Sequence, residues 1–469
     1  MTTSINNLPL KDRLLSLFFE NLPEIKGLAT TKVNHLRESA MADFERLGFP
    51  NPKMESWRFS DIGKLLETDF SFNFSNQSRP FEIEKIFTCE VYDLDTFSVT
   101  ILNGWFVYKN APITRLPDGT IIGSLAKAME EYPEIIEKHL GSIAKTENTP
   151  LTALNTAFIQ DGLFVFVPEG VKVEKPIQLI NIFDSQVPLL LQPRHLVIVE
   201  KNAELTLVHC DHSLTHKANL TNTVVEIIAG PGAVVDHYKI QNKGRSSALF
   251  TTTYLQLQKA SRVASTIITL NGGFTRNNIE AILSEPEAKA DINGLYLVDH
   301  NQHVDNRVYI DHASPDCQSN QLYKGILDDQ ARAVFSGHIM VRRDAQRTLA
   351  YQNNKNLLLT DQARTNTQPR LEIYADDVKC SHGATVGQLD SEAMFYLKSR
   401  GICERTARQL MMIAFADEVA QKISIEPLRK RLGQMIEKRL KGELSICDQC
   451  VLHCNSKEPS TFNIDLSKI

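Results

Sequence analysis

The sequence predicts a mainly β protein whose long central region is a β-solenoid or a sandwich of short strands, with helical segments at both ends. Three observations carry this. From about 155 to 385 the chain is a succession of β-branched and aromatic runs of five to eight residues, almost without helical periodicity. Several of those runs follow the same punctuation, a polar or turn residue and then Ala: Asn202-Ala203, Gly232-Ala233, Lys259-Ala260, Glu287-Ala288, Gln330-Ala331, Asp344-Ala345 and Gln362-Ala363. Before about 70 and after Asp390, apolar residues instead recur at helical spacing. The intervals between the punctuation marks are 30, 27, 28, 43, 14 and 18 residues, as expected of a solenoid whose coils differ in length. A sandwich with turns every ~10 residues has the same texture, so periodicity alone leaves both open.

Taken in order, Leu14, Leu17 and Phe18, then Leu36, Met41, Phe44 and Leu47, mark two N-terminal helices, the second closed by Gly48, Pro50 and Pro52. Phe97-Ser-Val-Thr-Ile-Leu and Trp105-Phe-Val-Tyr read as short strands, and Ile122 to Leu140 as helix. The polar run Lys145-Thr-Glu-Asn-Thr-Pro150 marks a boundary, which divides the chain into an N-terminal helical and mixed domain (1–145), a β core (146–388), a C-terminal helical domain (389–445) and a cysteine-bearing tail (446–469). In the C-terminal domain Asp390 is a predicted N-cap and Gly401 a predicted helix stop. Ala407, Leu410, Met411, Ala414, Phe415 and Val419 form one predicted apolar stripe. Leu428, Leu432, Met435, Ile436 and Leu440 form another, with Arg429, Lys430, Arg431, Lys438 and Arg439 on its polar side.

At 469 residues the chain is long enough to bury a core without disulfides. Its net charge of −5 supplies no global field for phosphates or anionic lipid, which disfavours a dedicated nucleic-acid or membrane-surface protein. No apolar run approaches the ~18 residues of a membrane span, and Glu20 interrupts the apolar N-terminal stretch without a basic leader or cleavage site, so neither a span nor a signal peptide is expected. Eight unevenly spaced cysteines then point to a reducing, cytoplasmic location.

No P-loop and no nucleophile elbow is present, and Gly230-Pro-Gly232 lacks the third glycine of a dinucleotide site. The sharpest motif is Asp376-Asp-Val-Lys-Cys-Ser-His-Gly-Ala-Thr-Val-Gly-Gln-Leu-Asp390. On a strand, Cys380 and His382 project to one face, where a thiolate and an imidazole suit a soft metal or sulfur chemistry. Two ligands leave a tetrahedral site incomplete, so any metal here recruits the rest elsewhere; a purely structural pair has the same spacing. Asp376 and Asp377 are candidate ligands or turn carboxylates. In the tail, Cys447-Asp-Gln-Cys450 with His453 and Cys454 has zinc or dithiol spacing, against the alternative of a tail with loosely metal-binding thiols. His209, His212, His216, His237, His300, His303, His312 and His338 are scattered through the β region. Asp291, Asp299, Asp305 and Asp311 invite comparison with β-helix carbohydrate-active enzymes, although turn chemistry accounts for such acids equally well.

The runs Asn353-Asn-Lys-Asn-Leu-Leu-Leu-Thr, Leu371-Glu-Ile-Tyr-Ala through the motif to Asp390, and Phe395-Tyr-Leu-Lys-Ser-Arg-Gly-Ile402 closely resemble the SufB/SufD family of iron–sulfur cluster assembly scaffolds. Upstream, Pro52-Lys-Met-Glu-Ser-Trp-Arg-Phe-Ser60 is similar to the family's Glu-x-Trp motif, so the resemblance runs to about 445. Gly383 stands where SufB chains typically carry Glu, which places the likeness on the SufD side. The resemblance implies a right-handed parallel β-helix, pairing with SufB (or with itself in isolation), and docking of the SufC ATPase on the C-terminal helices, with no catalysis by the chain itself. It also implies a transient nascent cluster shared with SufB, with His382 the stronger and Cys380 the weaker contributor, and nothing tightly bound by the chain alone. The 447–454 cysteines lie beyond the resemblance. A SufB-like subunit and a carbohydrate-active β-helix enzyme are the alternatives.

Overall fold

The computed structural model describes residues 8–27, 29–75, 79–80 and 94–441, so the predicted cysteine site at Cys447, Cys450 and Cys454 falls outside the described residues. The protein is 42% strand and 25% helix, a β-solenoid of about eight turns with helices at both termini. Each regular coil contributes one strand to each of two sheets. Glu204–Ser213, Val234–Asn242, Arg262–Asn271, Lys289–Val298, Gln318–Leu327, Thr348–Leu358 and Val378–Gly387 stack in the first. Asn219–Ala229, Ser247–Leu257, Phe274–Leu283, His303–His312, Arg332–Val341 and Arg364–Ile373 stack in the second. All of these stacked pairs are parallel, which excludes the sandwich. Coil length runs from 26 residues (Ala248 to Phe274) to 32 (Arg332 to Arg364).

The physical basis of the repeat is a corner before each first-sheet strand. Asn202, Gly232, Ala260, Glu287, Asp316 and Arg347 all have positive φ, and the residue after each, Ala203, Ala233, Ser261, Ala288, Cys317 or Thr348, is fully buried. A left-handed residue turns the chain, and a small residue then fits inside the bend. The polar-then-Ala punctuation is therefore real but mixed. Lys259-Ala260 is one residue out of step, and Cys317 and Thr348 occupy the inward position without being Ala. Ala331 and Ala363 precede second-sheet strands, and Ala345 sits in a longer corner, which accounts for the irregular last intervals.

Inside the coils, side chains stack in columns. One column is Leu205, Val235, Val263, Ala290, Ser319, Ala350 and Cys380; two residues further on is Leu207, His237, Ser265, Ile292, Gln321, Gln352 and His382. The C-terminal helices Glu404–Ala420 and Glu426–Lys441 lie on the outside of the first sheet, where Met412, Ala416, Val419, Leu428, Leu432 and Ile436 pack on Val208, Ile240, Ile268 and Leu295. The N-terminal helices Leu10–Glu20 and Thr31–Leu47 form a core with the helix Pro150–Ala157 and with Leu220, Ala248 and Phe250 of the second sheet.

Most predicted helices are present, with three corrections. Residues 121–124 form a strand, Ile121–Ser124, and the helical stretch is two pieces, Leu125–Glu131 and Pro133–His139, because Pro133 cannot continue the first. The stripe on Glu404–Ala420 is rotated: Met412, Ala416 and Ala420 are buried, whereas Leu410 is 44% exposed. Arg439 is buried rather than on the polar face, its Nη2 donating to Asp299 3.1 Å away. The predicted N-cap holds: Asp390 Oδ1 accepts N–H bonds from Glu392 and Ala393 at 2.8 and 3.1 Å.

Buried histidines, His237 and His312 inside the coils and His303 outside them against Ser60 and Phe274, give the fold a pH dependence. Burial holds His237 down to about 3 and His303 and His312 down to about 4, so each is neutral in the folded chain at pH 5. The unfolded chain protonates them near 6.5 and therefore binds more protons between that pH and about 4. Each histidine removes on the order of 1 kcal/mol of stability per pH unit across that window. Asp328, pushed up to about 6 by burial, works in the opposite sense, as do Asp161 and Glu280, whereas burial lowers His195 and His209 as well and adds to the histidine effect. The melting temperature is expected to fall continuously from pH 7 to pH 5; a flat profile by circular dichroism would contradict it.

Candidate functional site

The solenoid does not end symmetrically. At its N-terminal end strands and helices continue the packing, whereas Arg364–Ile373 and Val378–Gly387 are the last strands of their sheets, each with a partner on one side only among the described residues. A parallel edge left open in this way presents unpaired backbone donors and acceptors to another chain. Apolar side chains cluster on the same end: Ile373 is 40%, Tyr374 60% and Val386 47% exposed.

Cys380 and His382 lie on this terminal strand. Cys380 pairs with Ala350 and His382 with Gln352, so both continue interior columns into the last coil, where no further coil covers them among the described residues. Cys380 is half-buried against the small core of Ile339, Val341, Ala345 and Ala350, and burial pushes its thiol up. A thiol in that state is protonated at neutral pH and ionises when a cation or metal approaches. His382 is exposed. The strand period places the two side chains ~7 Å apart on one face. Among the described residues no set of three His, Cys, Asp or Glu side chains converges as a metal site. Asp376 and Asp377 sit in the turn before the strand, where Asp377 donates its N–H to Gln346 Oε1 at 2.9 Å and its carbonyl accepts from Arg347 at 2.6 Å.

The other candidates disperse. His209 and His237 are enclosed by the solenoid, His209 Nε2 being 3.2 Å from Asp211. His312 bonds Ser319 at 2.8 Å, and His338 faces Glu372 at 3.1 Å. The four aspartates compared with carbohydrate enzymes do not form an acid–base pair. Asp299 meets Arg439, Asp305 meets Arg276 at 2.6 Å, Asp311 meets Arg342 at 2.6 Å, and Asp291 accepts from Asn320 at 3.0 Å.

Sequence reasoning missed a groove on the outer face of the second sheet, walled by Glu55–Trp57 and 148–152. Trp57 carries the Arg276 guanidinium 3.6 Å above its ring and meets Phe250 edge-on. Arg276, Glu280, Arg307 and Tyr309 alternate with inward apolar residues along their strands, and that alternation is the available signal. Their convergence needs the coil register, which the sequence alone does not supply.

The chain is a parallel β-solenoid with helical ends, and comparison with known proteins gives its family. The model for the SUF system FeS cluster assembly SufBD core domain matches residues 182–415, and that for the SufBD protein N-terminal region matches 9–179. An iron–sulfur cluster assembly SufBD family protein of Synechocystis is 32% identical over 88% of this chain and 93% of its own length. The iron–sulfur cluster assembly proteins SufD of Escherichia coli and Bacillus subtilis are 29% and 26% identical, over 88% and 87% of this chain and 94% of each relative. The chain belongs to the SufBD family of iron–sulfur cluster assembly proteins. No described helix is long and apolar enough to cross a membrane.

Proposed function

We propose that this chain is the SufD-type half of a cytoplasmic cluster-assembly scaffold, which pairs with a SufB-type subunit through its open terminal coil and contributes His382, and secondarily Cys380, to a transient cluster site. The observation that carries the reading is the coincidence of the Cys-x-His pair with the uncovered end of the solenoid. The pair offers one soft and one borderline ligand, and an iron–sulfur cluster takes about four ligands, so the remainder come from the partner and from the cluster's own assembly chemistry. The cluster is cargo, released to recipients, and the chain itself performs no catalysis.

The C-terminal helices supply the second contact. Phe395 is 75% and Tyr396 57% exposed on Ser391–Ser399, and Leu410 of the next helix is 44% exposed, apolar surface suited to the SufC ATPase. Nucleotide hydrolysis in that partner provides the work that this chain, lacking a P-loop, does not. Movement of the docked ATPase is transmitted to the first sheet, because the helix Glu404–Ala420 packs directly on it.

His382→Ala in the co-expressed complex is expected to reduce bound iron and acid-labile sulfide by more than half while subunit stoichiometry is retained. Because His382 is exposed and supports no packing, folding is unaffected. Unchanged iron and sulfide would remove the role given to this residue.

A further inference from the structure

We infer that the groove on the outer face of the second sheet is a binding site for a small organic phosphate, whose phosphate is held by Arg307 with Arg370 and whose hydroxyl-bearing body faces Glu280. This site reaches the last strand of the second sheet through Gln368 and Arg370, uses no residue of Val378–Gly387, and goes beyond the scaffold function.

Its volume is about 660 Å3, which accommodates a ligand of metabolite size. Although Glu55 and Glu280 also line the groove, the local arrangement around Arg307 selects an anion. Asp305 Oδ2 is 2.6 Å from Arg276 Nη1 and also accepts from Ser60, while its Oδ1 is 3.5 Å from Arg307 Nε. Two guanidiniums thus share one carboxylate. Arg276 is spent on Asp305, Asn278 and the Ser56 carbonyl. Arg307 is not: its side chain is only 18% exposed, yet no hydrogen bond holds its terminal nitrogens among the described residues. A guanidinium with unspent donors, its Nε buried without a hydrogen bond, suits an anionic acceptor.

The register extends the donor set. Arg307, Ser336 and Gln368 occupy one position on three successive strands, a line roughly 10 Å long. Arg370, two residues beyond Gln368, stands at the open mouth with its side chain 62% exposed, 3.2 Å from Glu372. Such a row exceeds what one carboxylate can accept and suits the three oxygens of a phosphate.

The neighbouring column reads Tyr254, Glu280, Tyr309, His338 and Arg370. Within it, the Glu280 carboxyl has no hydrogen bond or ion pair among the described residues, and burial alone pushes it up. It is flanked by the rings of Tyr254, which bonds Thr152 at 2.8 Å, and Tyr309. An acceptor between two aromatic faces, beside a row of donors, matches a hydroxylated body attached to a phosphate.

The test is calorimetric titration of the full chain with ribose 5-phosphate and with inorganic phosphate. Saturable binding of ribose 5-phosphate is expected, weakened at least tenfold by Arg307→Gln and several-fold by Arg370→Gln. Glu280→Gln should weaken ribose 5-phosphate while leaving inorganic phosphate unchanged. Arg370 is exposed, so its variant retains the fold, and circular dichroism of every variant separates lost binding from lost structure. Absence of saturable ribose 5-phosphate binding, wild-type affinity in both arginine variants, or equal affinity for the two probes would overturn the assignment.

Discussion

Replacing Arg194 with Leu is expected to destabilise the protein by about 3–5 kcal/mol, among the largest effects available to a single substitution. Arg194 and Glu226 are fully buried, with Nη2 to Oε1 at 2.5 Å. Arg194 also donates to Asn155 and Thr156 of the helix Pro150–Ala157. Glu226 in turn accepts backbone N–H bonds from Gly141, Ile143 and Ala144. The pair thus pins the segment between the N-terminal domain and the solenoid to the second sheet. Removing the cation leaves a buried carboxylate without its charge partner, whereas removing both leaves no buried charge, although the N–H groups of Gly141, Ile143 and Ala144 lose their acceptor. The Arg194→Leu/Glu226→Leu double variant is therefore expected to recover part of the loss. The check is the denaturation midpoint of the three variants; a single variant within ~1 kcal/mol of wild type would contradict this account.

Val386→Glu is expected to weaken pairing with the partner subunit by ~100-fold or more, because a carboxylate trapped at a dry subunit contact without a counter-charge costs several kcal/mol. Val386 is 47% exposed in the isolated chain, so the substitution leaves its own fold intact. Analytical ultracentrifugation or co-purification of the variant reads the effect directly. Wild-type pairing would show that the terminal coil is not the contact.

How much of this was legible in the residues differs from place to place. The β texture and the terminal helices followed from side-chain periodicity, because the helices Thr31–Leu47 and Glu426–Lys441 bury one stripe each. Leu428, Leu432, Met435, Ile436 and Leu440 are all buried. The choice between solenoid and sandwich was not open to periodicity, since both need alternating strands; what decides it is parallel pairing at a separation of about one coil. The repeat was half visible because the corner requires a left-handed residue and a small one, not Ala specifically. Arg439 was misplaced for a different reason: tertiary contact with Asp299 overrode its position in a basic helix. At the site, the same-face relation of Cys380 and His382 followed from a spacing of two. That they lie on the final, uncovered strand depends on where stacking stops, which no local pattern encodes. The groove was invisible for the related reason that Trp57, Glu280, Arg307 and Arg370 converge only once coils are in register.

The central claim, that this chain is one half of a scaffold whose cluster site is completed by a second subunit, is tested most directly by purifying it after co-expression with a SufB-type and a SufC-type protein. Subunit stoichiometry, iron and sulfide are then measured together. A stoichiometric complex that carries iron and sulfide is expected, neither of which the chain retains when expressed alone. Iron and sulfide held in full by the isolated chain, or a SufB-type protein that never co-purifies with it, would contradict the account.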